Sequence, residues 1–319
     1  MHLDVFRDGI EATKMDFQST VASPCWTVGN QQVVLGDCLT ELRAMAANSV
    51  DVVITSPPYN IGVAYRSYRD RKPRQSYLAW LSQIGDGVAR VLKADGSFFL
   101  NVGSTNADPW IALDVAGAFR QAFVLQNHIT WVKSVSIGVD TVGHFKPITS
   151  RRYLNHNHEA IFHFTKAGTV EIDRLAIGVP FKDKSNIARW GHKGDRRCGG
   201  NVWFIPYETV KSKAQKFNHP AGFPVGLPLR CLRLHGRMGC VVLDPFLGAG
   251  TTLVAAAQLG HKGLGIESDP HYAQTAVSRL QAEITDAQNS PDHTGSGTIP
   301  RGNRERAKDH DRRCDEQVP

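Results

Sequence analysis

The segment Val50 to Thr55 carries five β-branched side chains in six positions, and two consecutive prolines follow one residue later. Side chains branched at Cβ suit a pleated, buried strand. Proline fixes φ and offers no N–H, so the strand must stop at Ser56-Pro57-Pro58-Tyr59. Around it one alternation repeats. Gln32 to Leu35 is a short apolar run ending at Gly36-Asp37, and Leu39 to Met45 has helical spacing. Ser76 is placed to cap a helix reaching about Leu92, and Lys93 to Gly96 turns the chain into a strand at Ser97 to Val102. Trp110 to Phe119 reads as helix and Phe123 to Val132 as extended chain. Strand–helix alternation on this scale predicts an α/β protein built on a parallel sheet.

The alternation breaks between residues 133 and 216, where short strand candidates such as Ala160 to Thr165 and Val202 to Ile205 lie among Gly- and Lys-rich stretches. It resumes with a strand at Cys240 to Leu243, a helix at Thr251 to Leu259, a strand at Gly263 to Ile266 and a helix at Tyr272 to Ile284. Beyond Thr285 the chain is polar and is expected to be disordered. The 319 residues thus read as one α/β domain made from both ends, with an insertion between them. The insertion holds 15 basic and 7 acidic residues, whereas the whole chain has a net charge of +7. A positive field confined to one segment fits an anionic partner, with nucleic acid the first candidate and a solvated basic surface the alternative.

No apolar run approaches the length of a membrane span, and the first twenty residues lack the apolar core of a secretory signal. The six cysteines form no C-x-x-C pair. They read as reduced thiols of a cytoplasmic protein, with no metal site.

Two turns carry the chemistry. In the first, Asp244-Pro-Phe-Leu-Gly-Ala-Gly-Thr-Thr252, a strand runs into a glycine turn that opens a helix. Gly248 and Gly250 let a ligand approach the backbone, and Thr251 and Thr252 offer donors at the positive helix end. Glu267, 17 residues after Gly250, ends the next strand, where an acid can accept hydrogen bonds from both ribose hydroxyls. The third glycine of a dinucleotide fingerprint is missing, because position 253 is Leu. Asp244 would point an anion into the site, which suits the cationic amino-acid tail of S-adenosylmethionine better than a pyrophosphate.

In the second turn, Ser56-Pro57-Pro58-Tyr59, the prolines leave backbone carbonyls free at the strand's C-terminal end, the edge where parallel sheets bind ligands. Ser56 supplies a hydroxyl acceptor and Tyr59 a flat π face. The exocyclic amine of a nucleobase is a poor nucleophile, because its lone pair is delocalised into the ring. Two acceptors holding its N–H bonds out of plane would free that pair and stabilise the charge formed as a methyl arrives.

These motifs resemble the amino-methylating DNA methyltransferases of bacterial restriction–modification systems, in the permuted beta arrangement with the catalytic motif first and the cofactor motif last. Gly36-Asp37, Asn157-His158-Glu159 with Phe164-Thr165-Lys166, and His219-Pro220-Ala221-Gly222-Phe223-Pro224 add to the likeness. The resemblance implies a Rossmann-like S-adenosylmethionine-dependent methyltransferase sheet, circularly permuted, with an inserted target-recognition region. It assigns base binding and catalysis to Ser56, Pro57, Pro58 and Tyr59. Cofactor contacts fall to Asp37, Asp244, Phe246, Gly248, Gly250, Thr252 and Glu267, with His219 and Pro220 nearby. It also implies an N-terminal extension (1–30), a catalytic half (31–132), a target-recognition region (133–216) that includes a returning core strand near 158–166, a cofactor half (217–284) and a tail (285–319). Many relatives that methylate adenine have Asp at the place of Ser56 and often Lys at that of Phe223, so the residues here resemble the cytosine-N4 branch. Adenine-N6 methylation is the nearest alternative. A nicotinamide-dependent dehydrogenase and a non-catalytic DNA-binding protein are remoter ones.

Double-stranded DNA is the implied partner, with a cognate restriction endonuclease acting on the same site. The protein would be a monomer or homodimer near the nucleoid of a prokaryotic cytoplasm. Arg66, Arg69, Arg71, Lys72 and Arg74, interleaved with Tyr65, Tyr68 and Tyr77, suit phosphate and base contacts on a mobile loop; a solvated loop is the alternative. Arg151 and Arg152 are further candidates for DNA contact. Cys25 follows a proline as a cytosine-C5 methylase nucleophile would, but no buried strand precedes it and it reads as structural or incidental.

Overall fold

The computed structural model describes residues 23–137, 140–143, 149–189, 194–206 and 222–289. Its elements in chain order are β1 (Cys25–Val28), β2 (Gln31–Leu35), α1 (Cys38–Ala44), β3 (Val50–Thr55), α2 (Arg74–Val91), β4 (Leu92–Val102), α3 (Ile111–Ala118), β5 (Val124–Val132), β6 (Val135–Ile137), β7 (Asp140–Val142), β8 (His158–Thr165), α4 (Ser185–Arg189), β9 (Val202–Phe204), α5 (Gly226–His235), β10 (Val241–Asp244), α6 (Thr251–Gln258), β11 (Lys262–Glu267) and α7 (Pro270–Asn289).

Nine strands form one sheet in the order β1-β2-β11-β10-β3-β4-β8-β5-β9, and β6 and β7 pair separately as a hairpin. Strands β2, β11, β10, β3 and β4 run parallel. The sheet is nevertheless mixed, not parallel throughout. β8 is antiparallel to both β4 and β5, and β1 is antiparallel to β2 at the other edge. The centre is hydrophobic on both faces because the strand period of two sends alternate residues to two different cores. Val53, Phe98 and Leu100 pack with Leu42, Leu81, Ile84 and Ile111 of α1, α2 and α3. Their neighbours Val52, Ile54 and Phe99 pack with Leu227, Cys231 and Leu232 of α5 and with Ala255 and Ala256 of α6.

Several boundaries differ from the sequence reading. Helix α2 starts at Arg74, just after Pro73, so Ser76 lies inside its first turn and does not cap it. The Lys93–Gly96 turn is a bulge within β4: Val50 pairs with Leu92, but Val52 pairs with Ser97. A Cβ on Gly96 would lie 2.8 Å from the carbonyl oxygen of Asp51, so the crossing requires glycine. Helix α5 has no counterpart in the sequence reading, and α7 continues to Asn289, past the expected start of the tail. The rest of that tail lies outside the described residues.

The chain leaves β3 toward β4 on one side and comes back as β10 on the other, so the C-terminal ends of β3 and β10 form a topological switch point. Ser56 follows β3 at this place and Asp244 ends β10.

Candidate active site

A clamp joins the two ends of the chain. The Thr55 hydroxyl donates to Asp244 Oδ1 at 2.6 Å, across 189 positions of sequence. The Thr252 hydroxyl donates to Oδ2 at 2.7 Å, and the Phe246 amide donates to Oδ1 at 3.0 Å. Asp244 is 2% exposed, and burial pushes its carboxyl up to about 6 despite these donors. Asp244 lines the cavity above this clamp, and both of its oxygens are also engaged in it. Thr252 is fully buried in it and does not face the cavity. Gly250 also has another role than expected. With φ of 80° it caps α6 in the left-handed region, and an added Cβ would lie 3.0 Å from that of Ala276 on α7. It is glycine so that two helices can meet.

Over the clamp opens a cavity of about 950 Å³ whose wall includes both turns, with Ser56, Pro57, Pro58 and Tyr59 on one side and Phe246, Gly248, Thr251 and Glu267 on the other. Asp37 lines it as well and caps α1 by accepting the Thr40 amide at 3.0 Å. Glu267 accepts the amides of Gly248 and Asp269, both at 2.8 Å, and burial raises its carboxyl above the ordinary range. One amide on each oxygen leaves lone pairs for a diol. Thr251 Oγ1 accepts from the Arg279 guanidinium at 2.8 Å.

The Ser-Pro-Pro-Tyr turn is firmly backed by hydrogen bonds. Tyr77 of α2 donates to the Pro58 carbonyl at 2.6 Å. Ser56 Oγ lies 2.7 Å from Tyr59 Oη and donates to the Asn101 carbonyl at 3.1 Å. Asn101, Glu159 and Lys133 stand behind it, at the ends of β4, β8 and β5. Glu159 Oε1 and the Lys133 ammonium are 2.8 Å apart. Asn101 Oδ1 is buried without a hydrogen-bond partner among the described residues, which leaves one more acceptor beside the turn. Burial and the nearby Glu159 carboxylate push the Tyr59 phenol well above its ordinary range, so it remains a donor.

The segment after the turn is not a free loop. Asp70 is 3% exposed and accepts four backbone amides, those of Asn60, Ile61, Gly62 and Val63, at 2.7–3.2 Å. Asn60 adopts φ of 59° and exchanges side-chain hydrogen bonds with the backbone of Lys72. Of the basic residues expected to meet DNA, Arg66, Arg69 and Arg71 are exposed at the surface. Lys72 turns inward: its ammonium lies 4.7 Å from the ring centres of both Tyr68 and Trp80, in the cavity wall. Arg151 and Arg152 are exposed ahead of β8, with Arg152 over the Tyr153 ring. His219 and Pro220 lie outside the described residues. Cys25 sits on edge strand β1, four strands away from β3.

The sequence reading gives no role to Thr55, Asp70, Trp80, Asn101, Lys133 or Glu159. Glu159 stands out only within a motif, and nothing local marks the other five, because each works through partners that are distant in sequence.

The sheet order and a cavity at the strand ends define a Rossmann-like methyltransferase. The PvuII DNA methyltransferase (cytosine-N4-specific) shares this fold, with a TM-score of 0.61 and 20% identity over 82% of this chain and 93% of that one. The Thermus thermophilus protein TTHA0409, complexed with S-adenosyl-L-methionine, has a TM-score of 0.54 and 26% identity over 79% and 93%. The family model for DNA methylases of the N6/N4 type matches residues 50–278, and the chain belongs to that family. It is similar to the type II methyltransferase M.ScaI of Streptomyces caespitosus, with 27% identity over 84% of this chain and 87% of that protein. It is likewise similar to the DNA adenine methyltransferase YhdJ of Escherichia coli strain K12, with 30% identity over 78% and 82%.

Proposed function

We propose that the protein transfers a methyl group from S-adenosylmethionine to the N4 amine of a cytosine flipped out of duplex DNA, as the modification enzyme of a restriction–modification system. The observation that carries this reading is the cavity shared by the Ser-Pro-Pro-Tyr turn and the glycine turn.

The residues present fit the cofactor. Glu267 retains lone pairs for a ribose, and the Phe246 ring borders the cavity for a planar base. Asp37, Asp244, Glu267 and Asp269 make this end of the wall acidic, which disfavours a pyrophosphate. The Tyr68 and Trp80 faces already hold the Lys72 ammonium, and aromatic faces of this kind attract cations in general, a sulfonium included. Asp37, Phe246, Gly248, Thr251 and Glu267 would hold the cofactor, which supplies an electrophilic methyl on a positively charged sulfur.

The protein's own groups prepare the nucleophile. Ser56 Oγ and the Pro57 carbonyl accept the two amine hydrogens, and Tyr59 stacks on the extruded ring. A second cleft of about 590 Å³ lined by Arg69, Arg71 and Thr105 suits the flanking phosphates, with Arg66 on the same segment. Residues 133–216, with Arg151 and Arg152, serve target recognition.

Ser56 and Phe223, which both line the cavity, favour cytosine through their resemblance to the cytosine-N4 branch. The relative named as an adenine methyltransferase supports adenine N6 as the second reading. Sequencing genomic DNA from a methylation-free host expressing the protein, by a method that reports modification type and context, should show N4-methylcytosine at one fixed sequence. N6-methyladenine there would establish the second reading, and unmodified DNA would overturn both.

A further inference from the structure

The polar groups behind Ser56 form a continuous path away from the reacting atom. Tyr59 Oη has one proton to give. Asn101 Nδ2 donates to Oη at 3.0 Å and to Glu159 Oε2 at 2.7 Å. Tyr59 in turn donates to Glu159 Oε2 at 3.2 Å, with a longer contact of 3.4 Å to the Asn101 carbonyl. With its proton directed at Glu159, Tyr59 can only accept at the 2.7 Å contact with Ser56. Ser56 is therefore the donor there once its one proton turns from the Asn101 carbonyl, 3.1 Å away, to Oη, and its lone pairs are then free to accept. Lys133 Nζ, 2.8 Å from Glu159 Oε1, fixes the carboxylate from the side away from Tyr59. Gly103 gives it room, since a Cβ there would come within 3.1 Å of the carboxyl carbon. Among the described residues, the charged and titratable groups hydrogen-bonded to Glu159 are Lys133, just after β5, and Tyr59 from the Ser-Pro-Pro-Tyr turn.

We propose that Glu159 is the terminal proton acceptor of a Ser56–Tyr59–Glu159 relay that drains the proton released when the base amine is methylated. The proposal rests on the amine-methylating reading above and applies equally to cytosine N4 and adenine N6. Once the nitrogen has used its lone pair to bond the methyl, it is a cation with one hydrogen too many. One N–H bond breaks and its electron pair stays on nitrogen. The proton passes to Ser56 Oγ, the Ser56 proton passes to Tyr59 Oη, and the Tyr59 proton passes to Glu159 Oε2. The nitrogen ends neutral, Ser56 and Tyr59 end unchanged, and one new O–H bond stands on Glu159. Its side chain is 15% exposed and can release the proton to water. No oxidant or reductant takes part. Ser56 touches the substrate, whereas Glu159 acts through Tyr59 as a positioning and relay residue.

The test is a double-mutant cycle on single-turnover methyl transfer. The probe is a synthetic duplex bearing the sequence found by the modification sequencing, with tritiated S-adenosylmethionine. Tyr59→Phe keeps the stacking ring and removes the relay hydroxyl; Glu159→Gln keeps the shape and removes the acceptor. Each should slow transfer roughly 100-fold or more, and the double variant should be no slower than the worse single one, because both break one chain. Cofactor affinity by equilibrium dialysis, and the emission of 2-aminopurine placed at the target base, should stay at wild-type values in every variant. Losses that multiply in the double variant, or a Glu159→Gln rate within about twofold of wild type, where no acid–base contribution remains, would overturn the relay. If Glu159→Gln fails to fold by circular dichroism, the proton inventory of wild type against Tyr59→Phe decides. A curved inventory that becomes linear in the variant supports the relay, and a linear wild-type inventory overturns it. A wild-type protein that transfers no methyl and evokes no 2-aminopurine emission would instead defeat the amine-methylating reading itself.

Discussion

Ser97 lies fully buried between two imidazoles, with its hydroxyl 3.1 Å from His163 Nε2 and 3.0 Å from His235 Nδ1. His163 also stacks on Phe99 at 4.4 Å. Burial lowers both histidines to about 4, so both are neutral in the folded protein near neutrality. The unfolded chain, with imidazoles near 6.5, binds more protons between pH 6.5 and 4, and stability must fall as pH drops through that window. The loss is on the order of 3 kcal/mol per histidine. Asp244, raised to about 6, acts in the opposite sense: the folded state holds its proton longer, so its contribution weakens as pH climbs from 3.8 to 6. Two histidines outweigh one aspartate. Urea midpoints should therefore decline from pH 6.5 to 4, and His235→Asn should flatten the decline; an unaltered slope would mean that His235 is not held neutral.

Among the elements, the segment following the Ser-Pro-Pro-Tyr turn depends on one side chain. Asp70→Asn removes charge from an oxygen pair that holds four amides. That should weaken the fold of residues 60–72 by about 1–3 kcal/mol, and hydrogen exchange at amides 60–63 should accelerate roughly 10- to 100-fold. Unchanged exchange would show that the loop is held by other contacts. The core strands are legible in the sequence because their evidence is local, a β-branched run at Val50–Thr55 and an apolar run at Ser97–Val102. Helix α5 is not, since Gly226 and Pro228 open it and both read as breakers, although a proline in the first turn is tolerated. The reversal at β8 is equally hidden. Whether a strand runs parallel depends on neighbours such as Val102 opposite Ala160, which no local pattern encodes. The same applies to the site: Ser56 and Gly248 announce themselves by motif, whereas Asp70 and Asn101 are defined only by groups that the fold brings to them.

For the molecule as a whole, the order of the strands explains how a chain with its cofactor motif last can work. Parallel pairing of β10 with β3 sets the second turn beside the first, and the Thr55–Asp244 hydrogen bond locks the junction. DNA binding should weaken steeply with salt, and replacing both Arg69 and Arg71 by Ala should reduce the slope of log affinity against log salt by about 2. An equal slope would remove the second cleft from the DNA path. In the proposed reaction, Ser56 activates a cytosine amine toward a methyl donor held by the opposite turn. The most direct measurement is nucleoside analysis of DNA incubated with tritiated S-adenosylmethionine and either the wild-type protein or Ser56→Ala, with cofactor binding followed in parallel. Label should appear in N4-methylcytosine alone and be largely lost in Ser56→Ala, although the variant still binds cofactor. Label on another base position, or wild-type incorporation by the variant, would contradict it.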